Sequence, residues 1–175
     1  EWSNVVPDIM VMGKAMASGF PVSATVTTPA IAKAWGPSQH TSTFLGNPLG
    51  SVASLASLGY IERHNLVERS AEIGRRMMDA FEQWKARYEI VGDVRGLGSM
   101  TGFEIVADKK SKAPAMKTAL AIRDEATKRG VLAANVGGMY GNVFKISPPL
   151  VITDAQLDFA LDVLEESVAV VQRGL

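Results

Sequence analysis

The strongest periodic signal runs over residues 66–88, where Leu66, Ile73, Met77, Phe81, Trp84 and Tyr88 recur at helical spacing between Glu and Arg. Apolar positions at this spacing line one face of a helix, so the segment is predicted to be a long amphipathic helix packed on its own domain. Leu157, Leu161, Leu164, Val168 and Val171 repeat the pattern, and Thr153 with Gln156 ahead of them has the spacing of a capping box. Two other helix starts place proline at the first helical position, where a missing N–H costs nothing. Thr28-Pro29 opens a short helix, and Asn47-Pro48 opens a longer one reaching about residue 62. The small residues Gly50, Ala53, Ser54 and Ser57 in the longer helix allow a close neighbour. Residues 114–129 read as another helix with Gly130 as its C-cap.

Shorter runs of β-branched residues fill the gaps. Residues 9–12 are predicted to be a short buried strand and 22–27 a second. Residues 90–106 predict strands joined by turns around Gly96 and Gly98. Residues 131–134 and 143–147 predict two more strands, with Gly137, Gly138 and Gly141 turning between them. The resulting division is an α/β segment over 1–88 and a compact α+β unit over 89–175. No internal repeat or low-complexity stretch interrupts it.

Composition removes several function classes. The 175 residues suit one domain or two small ones, with 47% apolar and 21% charged positions. Eighteen basic and eighteen acidic residues cancel, so no basic excess points to nucleic acid and no charge block to a membrane surface. Cysteine is absent, which excludes disulfides and thiolate metal sites and suits a cytoplasmic setting. His40 and His64 lack metal-ligand spacing. No stretch is long and apolar enough to span a bilayer, and no signal-peptide pattern opens the chain. The chain starts at Glu1 and reaches an apolar strand almost at once, so it is read as cut from something longer.

Three segments carry candidate chemistry. Lys14 ends the apolar run Pro7-Asp8-Ile9-Met10-Val11-Met12-Gly13. An ammonium is costly to bury unless it is paired or deprotonates, and a deprotonated lysine attacks carbonyls to form a Schiff base. The other reading is an ordinary solvated lysine in a loop past the strand. Thr41-Ser42-Thr43-Phe44-Leu45-Gly46-Asn47-Pro48 places hydroxyls before a helix N-terminus, which can hold a phosphate; simple capping by Asn47 is the alternative. Lys145, before the rigid Pro148-Pro149 turn, either receives a substrate carboxylate or discourages edge pairing. Arg95 is read as an anchor for its turn. Nucleotide motifs fail. Gly13-Lys14 is followed by Ala15 where a P-loop needs Ser or Thr, and Asp8 stands where its first glycine belongs. Gly96-Leu97-Gly98 has Thr101 at the third dinucleotide glycine.

Five motifs in order, Pro-Asp-Ile-x-x-x-Gly-Lys, Gly-Phe-Pro-Val-Ser-Ala, Thr-Ser-Thr-Phe-x-Gly-Asn-Pro, Val-Arg-Gly-Leu-Gly and Ile-Ser-Pro-Pro-Leu, resemble the class III (omega) aminotransferases over nearly the whole chain. The resemblance implies an α/β protein of the aspartate aminotransferase fold. Residues 1–88 would be the end of the large domain of a fold type I transferase, with its mainly parallel sheet and long linking helix, and 89–175 the small C-terminal α+β domain. It implies pyridoxal 5′-phosphate (PLP) as cofactor, Lys14 as its Schiff-base lysine and proton carrier, and Thr43, assisted by Ser42, as a phosphate ligand reaching the neighbouring subunit of a homodimer. Lys145 stands where many relatives have an arginine that grips the substrate carboxylate. A lysine keeps the charge but not the planar fork. The implied reaction moves an amino group from an amine or amino acid to a 2-oxo acid.

The resemblance also implies that the pyridine-nitrogen partner and the ring-stacking residue lie upstream of this segment, so that the segment alone would be inactive and would expose strand edges and apolar faces. Two other readings remain open at this level. One is decarboxylation or amino-mutation on the same fold; the other is an inactive, dimer-forming remnant.

Overall fold

A computed structural model describes residues 3–133 and 136–175. They form two compact units, Glu1–Asn65 and Leu66–Leu175.

In the first unit, β1 (Ile9–Met12) pairs antiparallel with β2 (Ala24–Thr27), from Ile9 opposite Thr27 to Met12 opposite Ala24. One turn of 3-10 helix, Lys14–Ala17, lies between them. Thr28 caps α1 (Pro29–Ala32), and Asn47 caps α2 (Pro48–Arg63) by accepting from the N–H groups of Leu49 and Gly50. Both proline-led starts thus form as the sequence indicates. The burial expected of β1 does not: all four residues are exposed, because this two-stranded ribbon has no layer over its faces among the described residues.

The second unit begins with α3 (Leu66–Arg87), which lays Ile73, Met77, Phe81 and Trp84 on an antiparallel sheet. The sequence reading counts this helix with the first domain; its apolar face packs on β3 instead. The sheet has the order β3-β4-β6-β5, formed by β3 (Val91–Leu97), β4 (Met100–Ile105), β5 (Val136–Gly137) and β6 (Val143–Ile146). α4 (Met116–Lys128) and α5 (Asp154–Arg173) complete the unit, and the Thr153 capping box forms with both hydrogen bonds, at 3.2 and 3.0 Å.

Every pairing in the two sheets is antiparallel, so the mainly parallel sheet expected of the first segment is absent among the described residues. Parallel neighbours need a long crossover, and the connection between β1 and β2 is a single helical turn and a bend.

The core is aromatic. Phe103 and Phe144, directly opposite on β4 and β6, stack with centroids 4.6 Å apart, and Phe81 and Trp84 of α3 meet Phe103 edge-on at 5.1 and 5.6 Å. Gly74 lets α3 approach the β3–β4 turn, where a Cβ would overlap the Gly98 carbonyl. Gly98 itself turns the chain at φ +53°, whereas Gly96 lies within β3 rather than in a turn. The strand predicted at 131–134 is not formed. Gly130, at φ +93°, ends α4, and the Val131 N–H closes that helix on the Ala126 carbonyl at 3.0 Å. Residue 134 lies outside the described residues, and the strand appears at Val136–Gly137. Among the described residues no helix is long and apolar enough to cross a membrane.

Candidate active site

The chain leaves β1 through an extended Gly13 and turns at Lys14, whose φ of +58° is left-handed. Non-glycine residues adopt that region rarely because Cβ crowds the backbone. The turn closes on hydrogen bonds from Met16 N–H to the Gly13 carbonyl (3.3 Å) and from Ser18 N–H to the Ala15 carbonyl (3.1 Å). Ala17 anchors it in the unit's interior, and Phe20-Pro21-Val22 leads the chain to β2. Lys14 is exposed and lines an open hollow with Ser18, Gly19, Phe20, Pro21 and Val22. Burial in an apolar strand, the reason sequence reading singled it out, is therefore not what the structure shows. Its distinction is a strained backbone at the head of a short, hydrogen-bonded turn.

Ser42 and Thr43 lie in the exposed loop before α2. Asn47 Oδ1 takes the Leu49 N–H at 2.9 Å and the Gly50 N–H at 3.4 Å, so the capping alternative is realised and these two donors are already engaged. The hydroxyls of Ser42 and Thr43 have no hydrogen-bond partner among the described residues. Ser42 lines a second hollow with His40, Asn47, Ser51 and Ser54, and Pro21-Val22 forms part of both hollows. The unit thus places Lys14 and Ser42 in adjacent hollows, not in one.

Lys145 belongs to the second unit. It lies on β6 opposite Gly102, which is opposite Arg95 on β3, so two cations flank a position without a side chain. Lys145 and Arg95 line one hollow with Gly137 and Gly138. Arg95 donates to Asp93 (2.6 Å) and Glu104 (3.3 Å), and these acceptors, Asp93 foremost, raise its pKa further. It ties two strands together rather than anchoring a turn. Asn142, buried and directly before β6, donates to Glu104 at 3.2 Å and to the Ile105 carbonyl at 2.7 Å, tying the start of β6 to β4. The contact of Ser18 with Ser57, whose hydroxyls meet at 2.9 Å, gave no sequence signal beyond the small-residue stripe on α2. Among the described residues no group of three acidic, His or Cys side chains could hold a metal.

Fit to PLP can be tested on this donor set. PLP needs a primary amine for its aldehyde and hydroxyl or N–H donors for its phosphate. An exposed lysine held by its own turn and a loop with two unengaged hydroxyls meet those needs.

The chain is matched over residues 1–168 by the model of the class-III aminotransferase family. It is 43% identical to a mitochondrial alanine–glyoxylate aminotransferase 2 homolog of Arabidopsis thaliana, over 97% of this chain and 35% of the relative. The fold is similar to a phospholyase from Arthrobacter solved with phosphoethanolamine, with TM-score 0.89, 35% identity, and coverage of 95% of this chain and 39% of that one. It is likewise similar to a PLP-bound amine transaminase from an uncultivated Pseudomonas species, with TM-score 0.84, 31% identity, and coverage of 94% and 39%. The chain therefore spans little more than a third of the length of these relatives. With its α/β architecture and its order of motifs, this chain belongs to the class III aminotransferases, a PLP-dependent family.

Proposed function

We propose that this chain supplies the cofactor lysine, a phosphate-binding loop and a carboxylate contact to an enzyme that transfers an amino group from an amine or amino acid to a 2-oxo acid. The observation that carries the reading is the position of Lys14, alone at the head of a strained, hydrogen-bonded turn beside an open hollow in a member of this family.

Lys14 would hold PLP through its amine, and Thr43 and Ser42 would donate to phosphate oxygens. PLP, when bound, supplies an electron sink for charge at the substrate α-carbon. The Lys14 amine would take the substrate α-proton as a general base and give it back as a general acid. Lys145 presents a point charge to a substrate carboxylate without fixing its plane. Placement of Lys14 and Ser42 in separate hollows supports a homodimer in which the 42–43 loop serves the partner's site. Residues 1–65 then belong to the large domain and the sheet of the second unit to the small one.

The test is Lys14→Ala in the full-length protein. Expected outcomes are loss of borohydride-trapped cofactor at this position and a fall in turnover of at least about 10²-fold, the lower range for a removed general base. Trapping elsewhere with normal turnover would remove Lys14 from the mechanism.

A second reading is elimination of phosphate from an amino-phosphate, favoured by the similarity to the Arthrobacter phospholyase. It uses the same lysine, and release of inorganic phosphate without amino transfer distinguishes it. Release of carbon dioxide would mark the decarboxylase alternative in the same assay.

A further inference from the structure

The turn that presents Lys14 is left-handed at both ends. Lys14 has φ +58° and Ser18 has φ +47° with ψ +40°, and neither is glycine. Such backbone persists only where the surroundings over-determine it. Here α2 supplies the surroundings. Its residues Gly50, Ser54 and Ser57 follow at spacings of four and three, so they share one face of the helix. A Cβ on Gly50 would overlap Val22, and the Phe20 ring lies 3.6 Å from that position. Ser54 is only 8% exposed, and its hydroxyl has no partner. Ser57 Oγ donates to Ser18 Oγ at 2.9 Å, the one side-chain hydrogen bond between α2 and the Lys14 turn among the described residues.

We propose that Ser57 is a positioning residue for Lys14. Its hydroxyl holds Ser18 in the left-handed region, and because the turn between Ser18 and Lys14 is a single 3-10 cycle, holding one end holds the other. Without this bond Ser18 is free to return to the right-handed region, the turn reopens, and the direction in which the Lys14 amine leaves the backbone is no longer fixed. The same helix begins at Asn47, directly after the loop of Ser42 and Thr43, so α2 sets both the amine and the hydroxyl loop against one rigid element. The inference rests on the reading of Lys14 as the cofactor lysine.

The test is trapping of PLP on Lys14 by borohydride in the full-length protein, mapped by peptide mass spectrometry. The pH titration of the bound cofactor's visible absorbance and the thermal unfolding midpoint are followed alongside. Ser57→Ala is expected to slow trapping about two- to fivefold, the scale of one hydrogen bond, and to move the titration, with little change in the midpoint. Ser57→Thr keeps the hydroxyl and is expected to restore both. Ser18→Ala removes the acceptor and keeps the Cβ that disfavours the left-handed region. It is expected to trap as slowly as Ser57→Ala, which keeps the test decisive if Ser57→Ala fails to fold. Unchanged trapping and titration in Ser57→Ala or in Ser18→Ala, with the parent labelled at Lys14, overturns the positioning role alone. No label on Lys14 in the parent overturns the reading of Lys14 and this role with it.

Discussion

At the scale of single residues, two lysines carry the functional argument, and their surroundings differ. Lys14 sits on strained backbone whose geometry is set by its neighbours Gly13, Ala15 and Ser18. Lys145 sits on regular β6 backbone opposite Gly102, so its stem projects over a position with no side chain to guide it. A single charge on a flexible stem binds a carboxylate without orienting it, whereas a guanidinium would grip both oxygens. Lys145→Arg is therefore expected to lower KM several-fold for an amino-acid donor and to leave KM for a donor without a carboxylate unchanged. Steady-state kinetics on such a donor pair checks this. An equal effect on both donors would place Lys145 outside the carboxylate site.

At the scale of elements, the joint between α3 and α5 is electrostatic at one end. Asp154, the first residue of α5, accepts from Arg69 Nη2 at 2.6 Å and from Arg76 Nη1 at 2.8 Å, and Arg76 also pairs with Asp158. The hydrogen bond from Arg69, followed by the charges of both arginines, holds the Asp154 carboxyl below its ordinary 3.8. A carboxylate with a lowered folded-state pKa adds stability above its unfolded value, and that stability is lost as pH falls through the folded value. The acid limb of unfolding should therefore contain a contribution from Asp154 below about pH 4. Asp154→Asn is expected to lower the urea midpoint at neutral pH and to flatten its fall toward about pH 3, as followed by circular dichroism. A parallel acid limb in the variant would show that the pair is fully screened, as its 62% exposed carboxylate permits.

At the scale of the whole molecule, the apolar core belongs entirely to the second unit, from Ile73 to Val168. Among the described residues of the first unit, Ala17 is the one buried apolar side chain. Val11, Phe44 and Leu55 there are each more than 70% exposed. Uncovered apolar strand and helix faces of this kind agree with the expectation from sequence, and they set an order of stability, because local opening follows buried apolar contact. In the 175-residue chain alone, limited proteolysis is expected to remove the first unit first and to leave a resistant product starting near Leu66. Amide exchange should give the same order. Equal protection of both units would show that the exposed faces of the first are covered in solution.

Helix starts were legible in the sequence because capping is local: Thr28, Asn47 and Thr153 each bind N–H groups within three residues of themselves. The face of α3 was legible for a related reason, since periodicity states which residues share a side without stating what they touch. Lys14, Ser42, Thr43 and Lys145 could be named from the order of motifs, a chemical pattern carried by residue type alone. The burial of β1 was misjudged because an apolar run records a tendency to be covered, and covering requires a neighbour. Pairing direction, the grouping of α3 with the second sheet, the replacement of a strand at 131–134 by a helix closure, and the left-handed turn at Lys14 were decided in three dimensions. The first two depend on contacts between residues far apart in sequence, such as Gly74 with Gly98, and distant contacts leave no periodic trace along a single chain; the last two close on hydrogen bonds within five residues, where residue type alone does not dictate which backbone conformation is taken.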